Sequence, residues 1–481
     1  MNLVTASRSR TFLRRGLAAG LLCCGTWTAT AAEAVVRYEV TVAPSLEQFA
    51  VRACFEGELP AELVAESDGA AFYLEWAKAG DRDLGVQSGR MVLRDAAEDR
   101  CIDYGVRLQP ARGGAQSGGP QTRWIGGDLL TSIGDWLWRP QSSEQDLQLR
   151  FRLPQGISVS APWQRIARSD GEDAFALGVT PYDWPGVVAF GHFVEQEIEI
   201  GGAVLRAAVL EGTTPKQRRW LLEGVERAAQ QATLAHGEFP VPALQVLVVP
   251  ASRGRSPVPW AYVSRGGGPA VHAFVVAERG PEAFLNDWSL LHEMSHLFLP
   301  YLDSRDAWLF EGLPTLFQNV LMARSTAISA GEAWRRMAAG FRRAARISPG
   351  ISIPEATKRI GRHGNSLKVY WAGAAALLAV DLQLRHDSGG SQSLDSAVAI
   401  LAQCCLAQDR RWSARELMER LDQESGTRVF SEFLLEQIAT GDFPDFASLF
   451  IRAGVRVDGN QAELSADAPW AIERDALMRP R

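Results

Sequence analysis

Excess positive charge is the first thing this chain lacks. Its 56 acidic residues outnumber 50 Lys and Arg, for a formal charge of −6. No run of basic residues breaks that balance, so the chain has no electrostatic footprint for nucleic acid or for an anionic membrane surface. Cysteine is scarce, six in 481 residues, and none has the paired spacing of a zinc site. The glycine run Arg265-Gly266-Gly267-Gly268-Pro269 has no Lys-Ser/Thr and no helix after it, which argues against a phosphate-binding loop. Histidine is scarcer than its chemistry would suggest, at seven. Two of the seven stand four residues apart.

Those two organise the chain. Residues 290–299, Leu-Leu-His-Glu-Met-Ser-His-Leu-Phe-Leu, read as a helix stopped by Pro300. Residues four apart share a helix face, so His292 and His296 point the same way and can hold one zinc ion. Glu293 sits where a general base reaches a metal-activated water. A third histidine from a His-x-x-Gly-x-x-His extension is excluded, because Leu299 and Leu302 stand where it needs Gly and His. A second helix beginning near Asp306, as N-cap, offers Glu311 one turn in. The run from Pro300 to Arg305 is long enough to reverse the chain, and Glu311 then completes a His-His-Glu site with a position open for water.

The N-terminus has the form of a secretory leader. Arg8, Arg10, Arg14 and Arg15 precede the apolar run Gly16 to Thr26, and small residues follow to Ala34. The run is too short to span a membrane. Cleavage after Ala31 or Ala32 removes four Arg and no acid, taking −6 to −10. Cys23 and Cys24 leave with it, and no lipobox precedes them. In an exported chain Cys54 and Cys101 suit either a disulfide or two buried thiols. Adjacent Cys404 and Cys405 read as helix residues rather than a vicinal bond.

From residue 35 to about 210 the pattern is strand-like. Val36-Arg37-Tyr38-Glu39-Val40-Thr41-Val42 alternates with period two. Further strands are expected at 49–55, 71–76, 100–108 and 147–153, with a flexible glycine-rich loop at 112–120. Trp136, Trp138 and Trp163 read as core, and 195–210 as a hairpin closing this region around Gly201-Gly202. Thr214-Pro215 opens a helix reaching about His236. Strands follow at 244–249, 260–263 and 271–276, with His272 structural. An edge strand beside a metallopeptidase helix can pair with extended substrate, and Gly266, Gly267 and Gly268 would allow its close approach. Helices are expected at 330–345, whose Arg run reads as a solvated face, and at 366–385, 413–425, 428–439 and 446–453.

Three motifs resemble the glycyl aminopeptidase family of gluzincin metallopeptidases, related in fold to aminopeptidase N. They are His292-Glu293-x-x-His296 with Trp308-Leu309-x-Glu311-Gly312; Val369-Tyr370-Trp371-Ala372-Gly373-Ala374-Ala375 with Asp381-Leu382-Gln383-Leu384-Arg385 and Ser393-Leu394-Asp395; and Val429-Phe430-Ser431-Glu432-Phe433 to Gly441. The likeness covers roughly residues 285–455. It implies one Zn2+ on His292, His296 and Glu311, with Glu293 as base and proton shuttle and the Tyr370 hydroxyl on the oxyanion. The family's Gly-Gly-x-Glu-His segment is matched only by Gly266-Gly267-Gly268, without the acid, and no PDZ domain is expected after the last matching helix.

The expected protein is α+β and multidomain: a leader at 1–31, an N-terminal β-sandwich-like domain at 32–211, a thermolysin-like catalytic domain at 212–325 and a C-terminal helical domain at 326–481. It is expected to be periplasmic or secreted, a zinc metallopeptidase of aminopeptidase-like type acting on peptide or protein substrates, with no nucleic-acid partner and no stable membrane insertion. Two other readings use the same residues: a non-catalytic binding or maturation protein keeping the fold, and a zinc amidase acting on cell-wall peptides.

Overall fold

Alternation decides the first sheet. In the strand Val35–Val42 the side chains of Val36, Tyr38, Val40 and Val42 are buried, while Arg37 and Thr41 face out. This strand pairs in parallel with Asp146–Arg152 and antiparallel with Gln48–Phe55, within an eight-stranded sheet. The computed structural model describes residues 35–480 except 57–58, 66, 94–99, 113–121, 142–145, 167–172, 178–185, 266, 363, 409 and 440–442. The expected leader and residues 113–120 of the expected flexible loop lie outside the described residues. Outward-facing pairs such as Arg52–Asp103 (3.1 Å) and Arg152–Glu39 (2.7 Å) are solvent-exposed. Each is worth about 0–1 kcal/mol, so the buried face supplies most of the stability.

Trp136, Trp138 and Trp163 are fully buried, as expected of core residues. Trp136 meets Phe49 edge to face at 5.6 Å. The Trp138 carbonyl accepts from the Tyr38 hydroxyl and its N–H donates to Tyr104. Cys54 and Cys101 face each other across paired strands and form a disulfide.

Two expectations of local structure are corrected. Residues 71–76 do not form one strand. Ser67 caps a short helix, Asp68–Tyr73, by accepting from the Gly69 N–H, and the strand Leu74–Ala79 follows. A good N-cap outweighs an apolar run that pattern alone assigns to a strand. Cys404 and Cys405 are joined in a vicinal disulfide. The helix Leu394–Cys404 ends between them, and Cys405 has left helical geometry, which frees the two side chains to turn toward each other.

The hairpin Glu195–Ile200 and Ala203–Val209 does not close the sheets before it. Its second strand pairs in parallel with Ala243–Pro250, which pairs in parallel with Ala270–Val275, and Trp260–Ser264 is added antiparallel at the edge. The hairpin therefore begins a five-stranded sheet. Its strands Ala243–Pro250 and Ala270–Val275 are apolar except for Gln245 and His272, because both faces are covered. The crossover between the two parallel strands is the helix Pro215–Thr233, opened by a Thr214–Gln217 capping box. Beyond the sheet the chain is helical apart from the hairpin Val455–Asp458 and Gln461–Leu464: Ser289–Ser295, Ala307–Arg324, Ala330–Ala345, Asn365–Asp387, Leu394–Cys404, Ala414–Ser425, Phe446–Ala453 and Ala471–Met478 are its main helices. Asn365–Asp387 is long and apolar enough to cross a membrane, and 72% of its most apolar window is buried within the fold.

Buried polar groups lock these helices to one another. Arg324 pairs with both carboxylate oxygens of Asp395 (2.8 and 2.9 Å) and donates to the Leu234 and Leu477 carbonyls. Arg385 bridges Asp395 and Asp381. Five elements meet at this network, and loss of any one charge would leave another unpaired away from water.

Candidate metal centre

Helical spacing brings the two histidines together. The histidine helix Ser289–Ser295 tightens into a 3-10 turn, His296–Phe298, before Pro300. Both rings are buried and meet edge to face, 5.0 Å apart. Arg265 secures the end of this helix by donating to the carbonyls of His296 (2.9 Å) and Leu299 (2.6 Å). The His296 carbonyl also accepts from the Leu299 N–H (3.1 Å), so Arg265 adds a second donor at a helix end where carbonyls run short of them. Burial pushes the Arg265 guanidinium down to about 10, which still leaves it charged at neutral pH.

Glu311 arrives on the glutamate helix Ala307–Arg324. Asp306 occupies the expected N-cap position but makes no side-chain cap. Its carboxylate instead accepts from the Ala414 N–H (2.8 Å) at the start of another helix. Glu311 Oε2 lies 3.4 Å from His292 Nε2 and 3.6 Å from His296 Nε2. The three donor atoms fall within 4.8 Å of one another. Two donors on one tetrahedral zinc, each about 2.0–2.1 Å from the metal, stand roughly 3.4 Å apart, so this donor set fits zinc.

The surroundings favour a cation. His292 Nδ1 is 2.7 Å from Gln318 Oε1, which fixes Nδ1 as the protonated nitrogen and leaves Nε2 facing Glu311. Burial works against a charged His292, but the Glu311 and Glu293 carboxylates and Gln318 outweigh it and raise its pKa. Burial, His292 and Arg265 together hold His296 far below its usual pKa, in the neutral form a ligand needs. The His296 ring stacks on Phe310 at 4.1 Å. Pro314 lacks the N–H that would bind the Phe310 carbonyl. That carbonyl is directed at His296, though not closely enough to satisfy the buried Nδ1.

Glu293 lies 3.8 Å from His296 Nε2. Burial pushes its carboxyl up to about 7, against the pull of His292, with Glu311 adding to the rise and a hydrogen bond from the Val263 backbone N–H opposing it. Tyr370 comes from the tyrosine helix Asn365–Asp387, its ring parallel to that of His292 at 6.3 Å. Burial and the Glu311 and Glu293 carboxylates raise the phenol's pKa, so it remains an O–H donor.

Two glycines set the distance between the glutamate and tyrosine helices. A Cβ on Gly373 would stand 2.0 Å from the Trp308 carbonyl oxygen, and one on Gly312 would stand 2.7 Å from the Gly373 backbone. The helices cross backbone to backbone at that point. Glu311 adjoins one glycine and Tyr370 lies one turn before the other.

Two glycines of the run pack against the N-terminal region. Gly266 lies outside the described residues. Gly267 has φ +75°, and its missing Cβ is filled by the Trp163 ring, while Gly268 packs on the Pro162 carbonyl. The segment along the histidine helix is the edge strand Trp260–Ser264, whose only strand partner among the described residues is Ala270–Val275. His272 is structural, as expected: it is buried, with Nδ1 2.7 Å from the Tyr262 hydroxyl.

Sequence reasoning missed Gln318 and Arg265. Gln318 follows Glu311 by two helical turns on the same face, a spacing that could have revealed it. The expected solvated face of the helix Ala330–Ala345 holds for exposed Arg342 and Arg343 but not for half-buried Arg335 and Arg336. Arg335, Arg336 and Arg343 line a cavity of about 540 Å³ that opens on His292 and Tyr370. A larger cavity, about 790 Å³, lies between Gly126-Gly127 and the ends of the sheet at Pro250 and Val275. No histidine lines it, so volume does not mark the chemistry here.

No described protein family and no curated protein matches the chain by sequence. Solved structures do match by fold. An aminopeptidase N family protein from Idiomarina loihiensis aligns over 90% of this chain and 82% of its own, with TM-score 0.65 and 14% identity. An M1 zinc metallopeptidase from Deinococcus radiodurans aligns over 86% and 96%, with TM-score 0.54 and 16% identity; a mutant of it was determined with a Tyr-Ser-Ala substrate bound. Native yeast LTA4 hydrolase aligns over 86% and 68%, with TM-score 0.50 and 12% identity. The chain has an aminopeptidase N-like fold, α+β and multidomain.

Proposed function

We propose that this chain, with its aminopeptidase N-like fold, is an exported zinc metallopeptidase that hydrolyses peptide bonds. The observation that carries the reading is the meeting of His292, His296 and Glu311 within 4.8 Å, with Glu293 and Tyr370 beside them. His292, His296 and Glu311 would hold the ion. When bound, zinc supplies Lewis acidity to the scissile carbonyl and makes a nucleophile of water near neutral pH.

The chain's own residues do the rest. Glu293, with a carboxyl raised toward 7, accepts the proton of the attacking water and returns it to the departing amine. Tyr370 donates its O–H to the oxygen on which negative charge grows, a stabilisation worth about 10²–10³ in rate at comparable sites. Gln318 holds His292 in the tautomer that leaves Nε2 free. The open edge of Trp260–Ser264 offers backbone groups to an extended peptide. Export rests on the basic, apolar and small-residue succession of residues 1–31.

The test is cleavage of a peptide library by purified mature protein, read by mass spectrometry beside Glu293→Gln and a chelated control. Zinc-dependent products absent from the variant support the reading, and their ends separate trimming of termini from internal cutting. Protein that contains stoichiometric zinc and yields no product from any peptide would overturn it.

A further inference from the structure

The cavity beside His292 and Tyr370 has one charged wall. It is built by the arginine helix Ala330–Ala345, on which Arg336 and Arg343 fall on one face and Arg335 adjoins them. The helix is set close to the site by Gly340, where a Cβ would stand 2.4 Å from the Trp371 ring. Trp371 is the neighbour of Tyr370 on the tyrosine helix. The arginines therefore reach the same cavity that His292 and Tyr370 enter from the other side.

Charge in this cavity does not cancel. Arg335 and Arg336 share a single carboxylate, that of Glu332, at 2.6 and 2.8 Å. Arg343 also lines the cavity, and it has no acid partner among the described residues. The one acid on the wall, Asp287, accepts from the Ser289 N–H (2.8 Å), so three guanidiniums stand against two carboxylates, those of Glu332 and Asp287. Exposed Trp288 adds an apolar surface against His292. Arg342 and Arg343 are both exposed, but Arg342 donates to the Val457 carbonyl (2.9 Å), whereas the Arg343 guanidinium rims the cavity. In an acidic chain a surplus of guanidinium beside the reaction centre is a recognition element for anions, and guanidinium pairs with carboxylate through two parallel hydrogen bonds.

We infer that Arg343, with Arg336 and Arg335, selects peptide substrates by a carboxylate, either an Asp or Glu side chain near the scissile bond or the free C-terminus of a short peptide. The inference rests on the peptidase reading above and names its substrate class. The arginines are specificity residues and take no part in bond cleavage.

Two experiments separate this inference from the reading beneath it. In the first, kcat/KM is measured for peptides matched except for Glu against Gln at each position, and for free against amidated C-termini. Wild-type protein is expected to favour the carboxylate at one of these places by about tenfold, the value of one charge-assisted hydrogen bond. The preference should vanish in Arg343→Ala and reverse in Arg343→Glu, with KM moving and kcat held. The position that responds tells side chain from terminus. In the second, the same peptides are titrated onto zinc-loaded Glu293→Gln protein, and binding is read by calorimetry. Acid-selective binding that depends on Arg343 supports the carboxylate site even if nothing is cleaved. Cleavage with equal rates for acid and amide peptides, or an acid preference that survives both Arg343 variants, overturns it while leaving the peptidase intact.

Discussion

His272 and His292 are both buried histidines with a glutamine side chain nearby, one in the sheet and one on the helix beside it. In the sheet both ring nitrogens face neutral groups, the Tyr262 hydroxyl at 2.7 Å and Gln245 Oε1 at 3.4 Å. Burial then acts unopposed and pushes His272 down to about 3. On the helix, Gln318 takes one nitrogen and the other faces Glu311, and the pKa rises despite the same burial. Burial and a hydrogen bond are common to both places. What differs is a carboxylate within reach of the second nitrogen and a second imidazole beside it, and that difference separates a packed side chain from a cation site.

The comparison is broken most severely by exchanging the fates of the two regions. His296→Ala should lose zinc and fall to background activity, while His272→Leu keeps one zinc per chain; metal analysis after gel filtration decides it. Zinc retained in His296→Ala would remove the helix from the comparison. Next in size, Tyr370→Phe should lower kcat by about 10²–10³ with zinc content and melting temperature unchanged. An unchanged kcat would reduce the tyrosine to packing. Gly373→Ala forces apart the helices that carry Glu311 and Tyr370. It should cost about 1–3 kcal/mol in denaturant unfolding, and kcat should fall with it. Gln318→Leu should weaken zinc affinity about 10–100-fold in a chelator competition, because the His292 tautomer is no longer held. The smallest effect is that of His272→Leu on folding, about 1–3 kcal/mol for the polar groups it strands, with no change in metal affinity.

The histidine helix and Glu311 were legible because their signal is local: two residues one turn apart, and a third on the next helix. The sheet was legible in Leu244 to Val249 for the same reason, a run apolar but for Gln245. The rest depends on contacts across the chain. No periodicity says that Gly267 lies against Trp163, a hundred residues earlier. Gly340 gave no sign that Trp371 would press on it, so the arginines around it read as solvated. Cys404 and Cys405 read as helix residues because no Gly or Pro follows to mark the helix end. Tyr370 was reached by resemblance alone, since nothing in a tyrosine on an apolar helix announces which way its hydroxyl points.

Arg265 leaves the edge strand at its last turn and clasps the end of the histidine helix through two carbonyls. Strand and helix are thereby tied where they would otherwise slide past one another. On the proposed reading, a peptide laid along Trp260–Ser264 would be measured against a ruler fixed to the two imidazoles, so thermal breathing of the fold would move the ruler and the blade together.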